Sequence, residues 1–246
     1  MSKTNTIYDT ISLHAAMNNL EQLGTKYLRR VATQKFEDIG DTVVIYFHIP
    51  KCGGTSIVEA FWKTIPEKDI FLMRDLRSPL YHSWPSDLSK SSLNLTKGKL
   101  TFIEYHGCER PSFVDIAKSI PAIRANIQAK GGNVIIFTVL RSPVEAVLSL
   151  RNYMCVVLKK NRACRNATDY TIFKDFQLNY LDSGYATYLC PRLTPAVTKN
   201  DFNSIVRTME HSLDYVGFVE RLWDTFDTLQ RFLNATFPRS QYQFFA

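Results

Sequence analysis

Residues 50–56, PKCGGTS, bring a lysine, two glycines and two hydroxyl side chains into one short segment. A glycine leaves its backbone N–H open to a ligand, and the ammonium and hydroxyl groups add further donors. At the start of a helix such donors attract phosphate or sulfate, because the first N–H groups have no partner within the helix and the helix dipole is positive there. We name this segment the anion loop, and its candidate contact residues are Pro50, Lys51, Cys52, Gly53, Gly54, Thr55 and Ser56.

Arg141 and Ser149 form a second candidate group for binding an anion. A guanidinium is a planar fork of donors, and with a hydroxyl beside it this fork suits a terminal phosphate dianion. The apolar run 134–140 ends at Arg141, and Ser149 lies two turns along the helix that is expected to follow. Because ligands of an open parallel sheet bind at the carboxyl ends of its strands, Arg141 stands where a ligand is expected.

His106 is the candidate for proton transfer. It ends a predicted strand, residues 99–106, and is followed by Gly107, Cys108 and Glu109. A neutral imidazole near pH 7 can accept the proton of a hydroxyl group. A histidine that only caps a strand is the alternative interpretation. Since His106 is the only imidazole in this segment, it is the predicted general base.

Short β-branched and aromatic runs predict the strands that position these groups. Residues 43–47 and 134–140 are runs of the kind found in parallel strands covered on both faces. After the anion loop, apolar residues recur at the spacing i, i+3, i+4, i+7, which marks one face of an amphipathic helix. The predicted fold is a P-loop-like three-layer α/β/α domain with a mainly parallel central sheet. The helix face consists of Ile57, Ala60, Phe61 and Thr64.

Two further helices are indicated downstream. Ser142, Pro143 and Glu145 form an S-P-x-E capping box with proline at the first helical position, which predicts that a helix begins here. Residues 214–233 predict a short strand and then an amphipathic helix that belongs to the core. Its predicted buried stripe is Val219, Leu222, Trp223, Phe226, Leu229 and Leu233.

The length and composition are those of one globular domain spanning residues 1–246. With 246 residues and 45% hydrophobic content, the chain can bury a large core. Residues 1–40 are interpreted as an N-terminal helical extension. Residues 66–99 are irregular and rich in proline, serine and basic residues, and they are the candidate substrate loop, with a solvated surface loop as the alternative.

The net charge of +7 favours anionic partners. A nucleic acid is not predicted, because no recognised binding module accompanies the charge. A metal is not predicted either, because the five cysteines show no zinc-ligand spacing. The first 30 residues contain no apolar stretch long enough for a signal peptide or membrane anchor, so we expect a soluble cytoplasmic protein, or a Golgi luminal one if an anchor lies outside the given chain.

Three of these motifs resemble those of sulfotransferases that use 3′-phosphoadenosine 5′-phosphosulfate (PAPS), particularly the heparan sulfate and uronyl 2-O-sulfotransferases. The Pro-Lys-led anion loop after a strand resembles the 5′-phosphosulfate loop of that family. The R-x-P of Arg141, with Ser149 eight residues later, resembles its 3′-phosphate motif. The strand ending in His106-Gly107-Cys108 resembles a strand-H-G-H segment, with Cys108 in place of the second histidine, to which the principal base of that family is usually assigned.

The resemblance implies a P-loop-like fold and sulfuryl transfer from PAPS to a hydroxyl of a carbohydrate such as a glycosaminoglycan, leaving 3′-phosphoadenosine 5′-phosphate (PAP). In this interpretation the anion loop holds the 5′-phosphate, while Arg141 and Ser149 hold the 3′-phosphate. Lys51 neutralises charge on the leaving group and His106 removes the acceptor proton, without a metal. The family also has a disulfide in a region comparable to Cys155 and Cys164.

Other functions stay open at this point. A small-molecule P-loop kinase is disfavoured because its lysine would follow the glycines, whereas Lys51 precedes Gly53 and Gly54. A non-catalytic module that binds PAP or an anionic glycan fits the missing second histidine. A sulfotransferase acting on phenols or steroids would share the fold, but its loop usually carries a threonine-tryptophan pair that is absent here. The acceptor and the oligomeric state are not specified by the sequence.

Overall fold

A computed structural model describes residues 42–73, 100–106, 113–153 and 199–236. The five strands in these ranges form one sheet in the order β2-β3-β1-β4-β5, and every pairing between them is parallel. The predicted mainly parallel sheet is therefore confirmed. The strands are β1 (Thr42–Phe47), β2 (Ile70–Met73), β3 (Leu100–Tyr105), β4 (Asn133–Leu140) and β5 (Tyr215–Phe218).

Helices cover both faces of the sheet. Alternate side chains of β1 point to opposite faces, as expected for a strand. One set joins a core cluster with α2, α3 and α5, and the other set joins a second cluster with α1 and α6. The structure thus has the three predicted layers. The helices are α1 (Gly54–Thr64), α2 (Phe113–Ala117), α3 (Ile120–Gln128), α4 (Pro143–Asn152), α5 (Lys199–Ser212) and α6 (Leu222–Thr236).

The helix after the anion loop follows its predicted amphipathic pattern. Ile57, Ala60 and Phe61 are buried against the sheet. Thr64 is half-buried, and its hydroxyl donates a hydrogen bond to the carbonyl of Ala60 at 2.7 Å. Burial of this face fixes where α1 begins relative to the end of β1.

The carboxyl ends of β3, β1 and β4 lie side by side. The backbone N–H of His48 donates to the carbonyl of Tyr105 at 2.8 Å, which continues the pairing of β1 with β3. On the other side, the hydroxyl of Thr138 in β4 donates to the carbonyl of Phe47 at 2.6 Å. The segments that follow these three strands therefore meet at one edge of the sheet.

We expect Thr138→Val to destabilise the protein by about 1 kcal/mol, because it removes a buried hydrogen bond while keeping the side-chain shape. The unfolding free energy measured in urea checks this value. Thr208→Val is the matched control, since the Thr208 hydroxyl donates to the Ser204 carbonyl one turn back within α5 and links no two strands. An equal loss in both variants would contradict a special role for the link between β4 and β1.

A buried ion pair joins α3 to β4 and β5 away from these strand ends. The guanidinium of Arg124 donates to the Asp214 carboxylate at 2.7 Å and to the carbonyl of Val134 at 3.1 Å. The backbone N–H of Ile136 donates to the same carboxylate oxygen at 2.8 Å. These partners satisfy both buried charges, so we assign the pair a structural role.

Two predictions about the helices are wrong. The helix at Pro143 begins where predicted, but the N-cap Ser142 makes no side-chain capping bond. Its backbone N–H donates instead to Glu220 at 2.8 Å, so the predicted partner Glu145 is replaced by a carboxylate from the β5–α6 junction. Trp223 was predicted to be core, yet 72% of it is exposed. The rest of that stripe is buried or partly buried: Val219, Leu222, Phe226, Leu229 and Leu233.

Several predicted features lie outside the described residues. These are the N-terminal extension and Cys155 with Cys164. The candidate substrate loop, 66–99, is described only over residues 66–73. That part contains a 3-10 turn, Glu67–Asp69, and the edge strand β2. A role for residues 66–99 in substrate binding stays a prediction.

Candidate functional site

The anion loop joins β1 to α1 through two residues with positive φ angles. Gly53 has φ 77° and is the N-cap of α1, and Lys51 has φ 67°. Glycine adopts this conformation readily, whereas a lysine is strained in it, and such strain is typical of functional sites. Gly53 supplies no side-chain cap, and the first turn of α1 has no acidic residue. Its own helix therefore leaves the positive dipole end uncompensated.

The side chains of the anion loop divide between core and surface. Thr55 and Ser56 are exposed at the start of α1, where their hydroxyls are available to a ligand. Pro50 and Gly54 are buried. The loop thus presents two hydroxyls at the start of α1, where the first backbone N–H groups have no partner within the helix, as an anion site requires.

Cys52 was predicted to contact an anion, but its backbone N–H and its side chain both have partners within the protein. Its backbone N–H donates to the carbonyl of Ile49 at 3.2 Å, inside a turn, and its side chain belongs to the core. Burial raises the pKa of the thiol well above its usual range, so Cys52 stays an uncharged thiol. We therefore leave Cys52 out of the proposed anion contacts.

The ammonium group of Lys51 lies 4.3 Å from the centre of the Tyr153 ring, at the end of α4. This is a cation–π contact. Burial lowers the pKa of Lys51, and the nearby positive charge of Arg141 lowers it further. Two partly desolvated cations so close together favour the binding of anionic groups beside them, because negative charge offsets their repulsion.

Arg141 follows β4 and reaches the anion loop. Its guanidinium donates to the carbonyl of Lys51 at 3.5 Å and to the carboxylate of Glu145 at 3.4 Å. Both contacts are long, so the guanidinium can exchange them for a charged ligand at small cost. Ser149 is half-buried further along α4. The structure thus brings Arg141 and Lys51 together at the ends of two neighbouring strands.

His106 follows β3 and is half-buried. Its ring centre lies 4.3 Å from that of His48, which follows β1, and the rings meet edge to face at 65°. His48 in turn pairs with Glu104: the Nδ1 of His48 and a carboxylate oxygen of Glu104 are 2.6 Å apart. Two imidazoles and a carboxylate therefore stand next to the anion loop.

Neither His48 nor Glu104 was predicted to belong to the site. The signals were present, because His48 stands three residues before Lys51 and Glu104 is a charged residue inside an apolar strand. A buried charge is rare unless it is paired, so Glu104 alone predicts a partner. Which partner it has depends on the register of β1 with β3, and the sequence does not specify that register.

Part of the predicted site is not tested. Cys108 and Glu109, which follow His106 in the chain, lie outside the described residues, as does His82, an alternative candidate for the base. Among the residues that are described, no group of three or more His, Cys, Asp or Glu side chains is arranged to hold a metal ion. No helix in the same ranges has the length and apolar character needed to cross a membrane.

The described fold and site define an α/β protein with a P-loop-like anion loop after the central strand of a parallel sheet. No protein-family model matches the chain, and a search of curated proteins found no match. Among solved structures, mouse sulfotransferase SULT7A1 complexed with PAP is similar at 13% identity and a TM-score of 0.37, over 80% of this chain and 59% of that one. This similarity is too low to carry an argument about function. The chain spans about three fifths of that protein.

Proposed function

We propose that this protein transfers a sulfuryl group from PAPS to a hydroxyl acceptor, and that the acceptor is a carbohydrate. The observation that carries the proposal is the meeting of three groups at adjacent strand ends. Lys51 stands in the anion loop after β1, Arg141 reaches that loop from β4, and the His106 imidazole comes from β3. An anion site beside a proton acceptor suits group transfer from an anionic donor to a hydroxyl.

The donor set fits PAPS, which carries two separate anionic groups. The exposed hydroxyls of Thr55 and Ser56, with the first N–H groups of α1, would hold the 5′-phosphosulfate. Arg141, with Ser149, would hold the 3′-phosphate. When bound, PAPS supplies an activated sulfuryl group. No metal is part of the proposal.

Each residue near the donor has a distinct proposed task. Lys51 neutralises the negative charge that develops on the leaving phosphate, because its ammonium is fixed in the loop and partly desolvated. His106 accepts the proton of the acceptor hydroxyl as that oxygen attacks the sulfur. The anion loop and Arg141 hold the donor in one orientation, which lowers the entropy cost of aligning donor and acceptor in the transition state.

Arg141→Ala should weaken PAP binding by roughly ten- to a hundredfold, because a hydrogen bond to a charged group contributes about 1.5–3 kcal/mol. The wild-type protein should also bind PAP much more tightly than 5′-AMP, which lacks the 3′-phosphate. Isothermal titration calorimetry measures both differences. Arg207→Ala on the exposed face of α5 is the control and should leave the Kd unchanged. Equal affinity for PAP and 5′-AMP would remove the 3′-phosphate assignment.

A transfer assay with radiolabelled PAPS tests the function itself. Heparan, chondroitin, simple glycosides and small phenols are offered as acceptors. Label on a carbohydrate supports the whole proposal, and label on a phenol alone supports the reaction but overturns the acceptor class. Tight PAP binding with no transfer to any acceptor would identify a non-catalytic binding module.

A further inference from the structure

We propose that Glu104 and His48 form a positioning pair that fixes the imidazole of His106 for proton transfer. The inference rests on the proposed function and adds a second imidazole to the site.

The burial of Glu104 is the first observation. Its carboxylate is 0% exposed and lies within a strand whose other side chains are buried. A carboxylate in such a place is unfavourable unless it is paired, and an apolar residue would pack there without that cost. The Nδ1 atom of His48 lies 2.6 Å from one of its carboxylate oxygens. A carboxylate only accepts hydrogen bonds, so we assign the ring proton of His48 to Nδ1. The other ring nitrogen, Nε2, lies on the side of the ring away from Glu104.

The second observation is that the His48 ring is held on several sides. Tyr46 stacks on it with a 5.4 Å centre separation and 14° between the planes. Gly54 lies against its Nε2 edge so closely that a Cβ at Gly54 would overlap the ring. A ring stacked on one face, bonded at one nitrogen and packed against backbone at the other has little freedom.

The third observation is that the ring of His48 also contacts His106. The register that pairs Phe47 with Tyr105 puts the next two residues, His48 and His106, opposite each other at the ends of β1 and β3. His106 stands two residues after Glu104, just beyond the end of β3, so continued strand alternation would direct both side chains toward the same face. Because the His48 ring is held in place, its edge-to-face contact, with ring centres 4.3 Å apart, limits the orientations open to the His106 ring.

His48→Asn is the principal test variant. Asparagine keeps an N–H donor near the position of Nδ1, so Glu104 stays paired, but the ring edge against His106 is lost. We expect kcat to fall about 10- to 100-fold, the usual loss when a group that orients an active-site histidine is removed, with the Kd for PAP unchanged. Glu104→Gln keeps an acceptor for Nδ1 and should lose less. His211→Asn is the matched control and should leave kcat unchanged, because His211 lies on the exposed side of α5, where its Nδ1 bonds the Arg207 carbonyl.

A double-mutant cycle separates positioning from a general structural effect. If His48 acts through His106, adding His48→Asn to His106→Ala should lower kcat no further. A further drop of similar size would show an independent role and overturn the proposal. A loss of PAP affinity in His48→Asn that matches its loss in kcat would make His48 a donor contact and also overturn it.

NMR of the histidine rings tests the positioning pair without any catalysis, so its result does not depend on the proposed function. We expect the ring NMR signals of His106 to shift in His48→Asn and in Glu104→Gln, but not in His211→Asn. Unchanged His106 signals would overturn the positioning pair even in an active enzyme. Shifted signals in a protein that transfers no sulfuryl group would keep the pair and reject only the reaction.

Discussion

His106→Ala should lower kcat by about 10²–10⁴-fold, the range that a positioned general base contributes. PAP affinity should stay close to that of the wild type, because His106 follows β3 whereas the proposed phosphate contacts follow β1 and β4. Steady-state rates with a labelled donor, together with PAP calorimetry, measure the two quantities separately.

Cys108 provides the comparison for this prediction. If Cys108 only occupies the place of a second histidine, Cys108→Ala should be tolerated and Cys108→His should raise the rate. An active His106→Ala variant would contradict the assignment of His106. The base would then be sought among His48, His82 and Glu109, and the binding-module interpretation would gain if none of them mattered.

Lys51→Ala should lower kcat by about 10²–10³-fold, as the loss of one group that stabilises transition-state charge usually does. The Kd for PAP should change much less, because the lysine acts mainly on charge that develops during transfer. Single-turnover rates with saturating PAPS, compared with PAP calorimetry, check this separation. A variant with near-normal turnover would remove Lys51 from the mechanism.

Two variants control for the unusual backbone at this position. Lys51→Gly removes the amine but suits the φ angle of 67°, so it should be as inactive as Lys51→Ala while unfolding at a higher denaturant concentration. Lys63→Ala, at the exposed end of α1, should keep full activity. Equal loss in Lys51→Ala and Lys63→Ala would indicate that the general positive charge matters, and not the position of Lys51.

The sheet and the helix starts were predictable because their signals are local. The predicted strands 43–47 and 134–140 differ from the observed β1 and β4 by one residue at the first end, since both are apolar runs buried on each face. The start of α1 followed from two glycines at the end of such a run. These features place the anion loop and Arg141 at adjacent strand ends, which is much of the candidate site.

The errors concern contacts between distant segments. The backbone N–H of Ser142 donates to Glu220, whereas the capping box predicted Glu145 as its acceptor. No local sequence pattern indicates that a carboxylate from the β5–α6 junction lies there. Trp223 fits the apolar period of its helix, but its position at the first turn of α6 leaves it exposed. The pair of His48 and Glu104 was missed for a similar reason, because it exists only in one register of two strands far apart in the chain.

The position of β1 in the middle of the sheet has a consequence for how the chain acquires its structure. β1 is the first of the described strands in the chain, yet Thr42 pairs with Leu100 on one side and with Asn133 on the other. During synthesis its apolar faces and both edges stay uncovered until those later segments emerge. Sheets built from such distant pairings fold slowly, and their unpaired edges promote aggregation. One continuous stretch, residues 42–64, encodes β1, the anion loop and α1, but the strands that flank β1 come from β3 and β4, far along the chain.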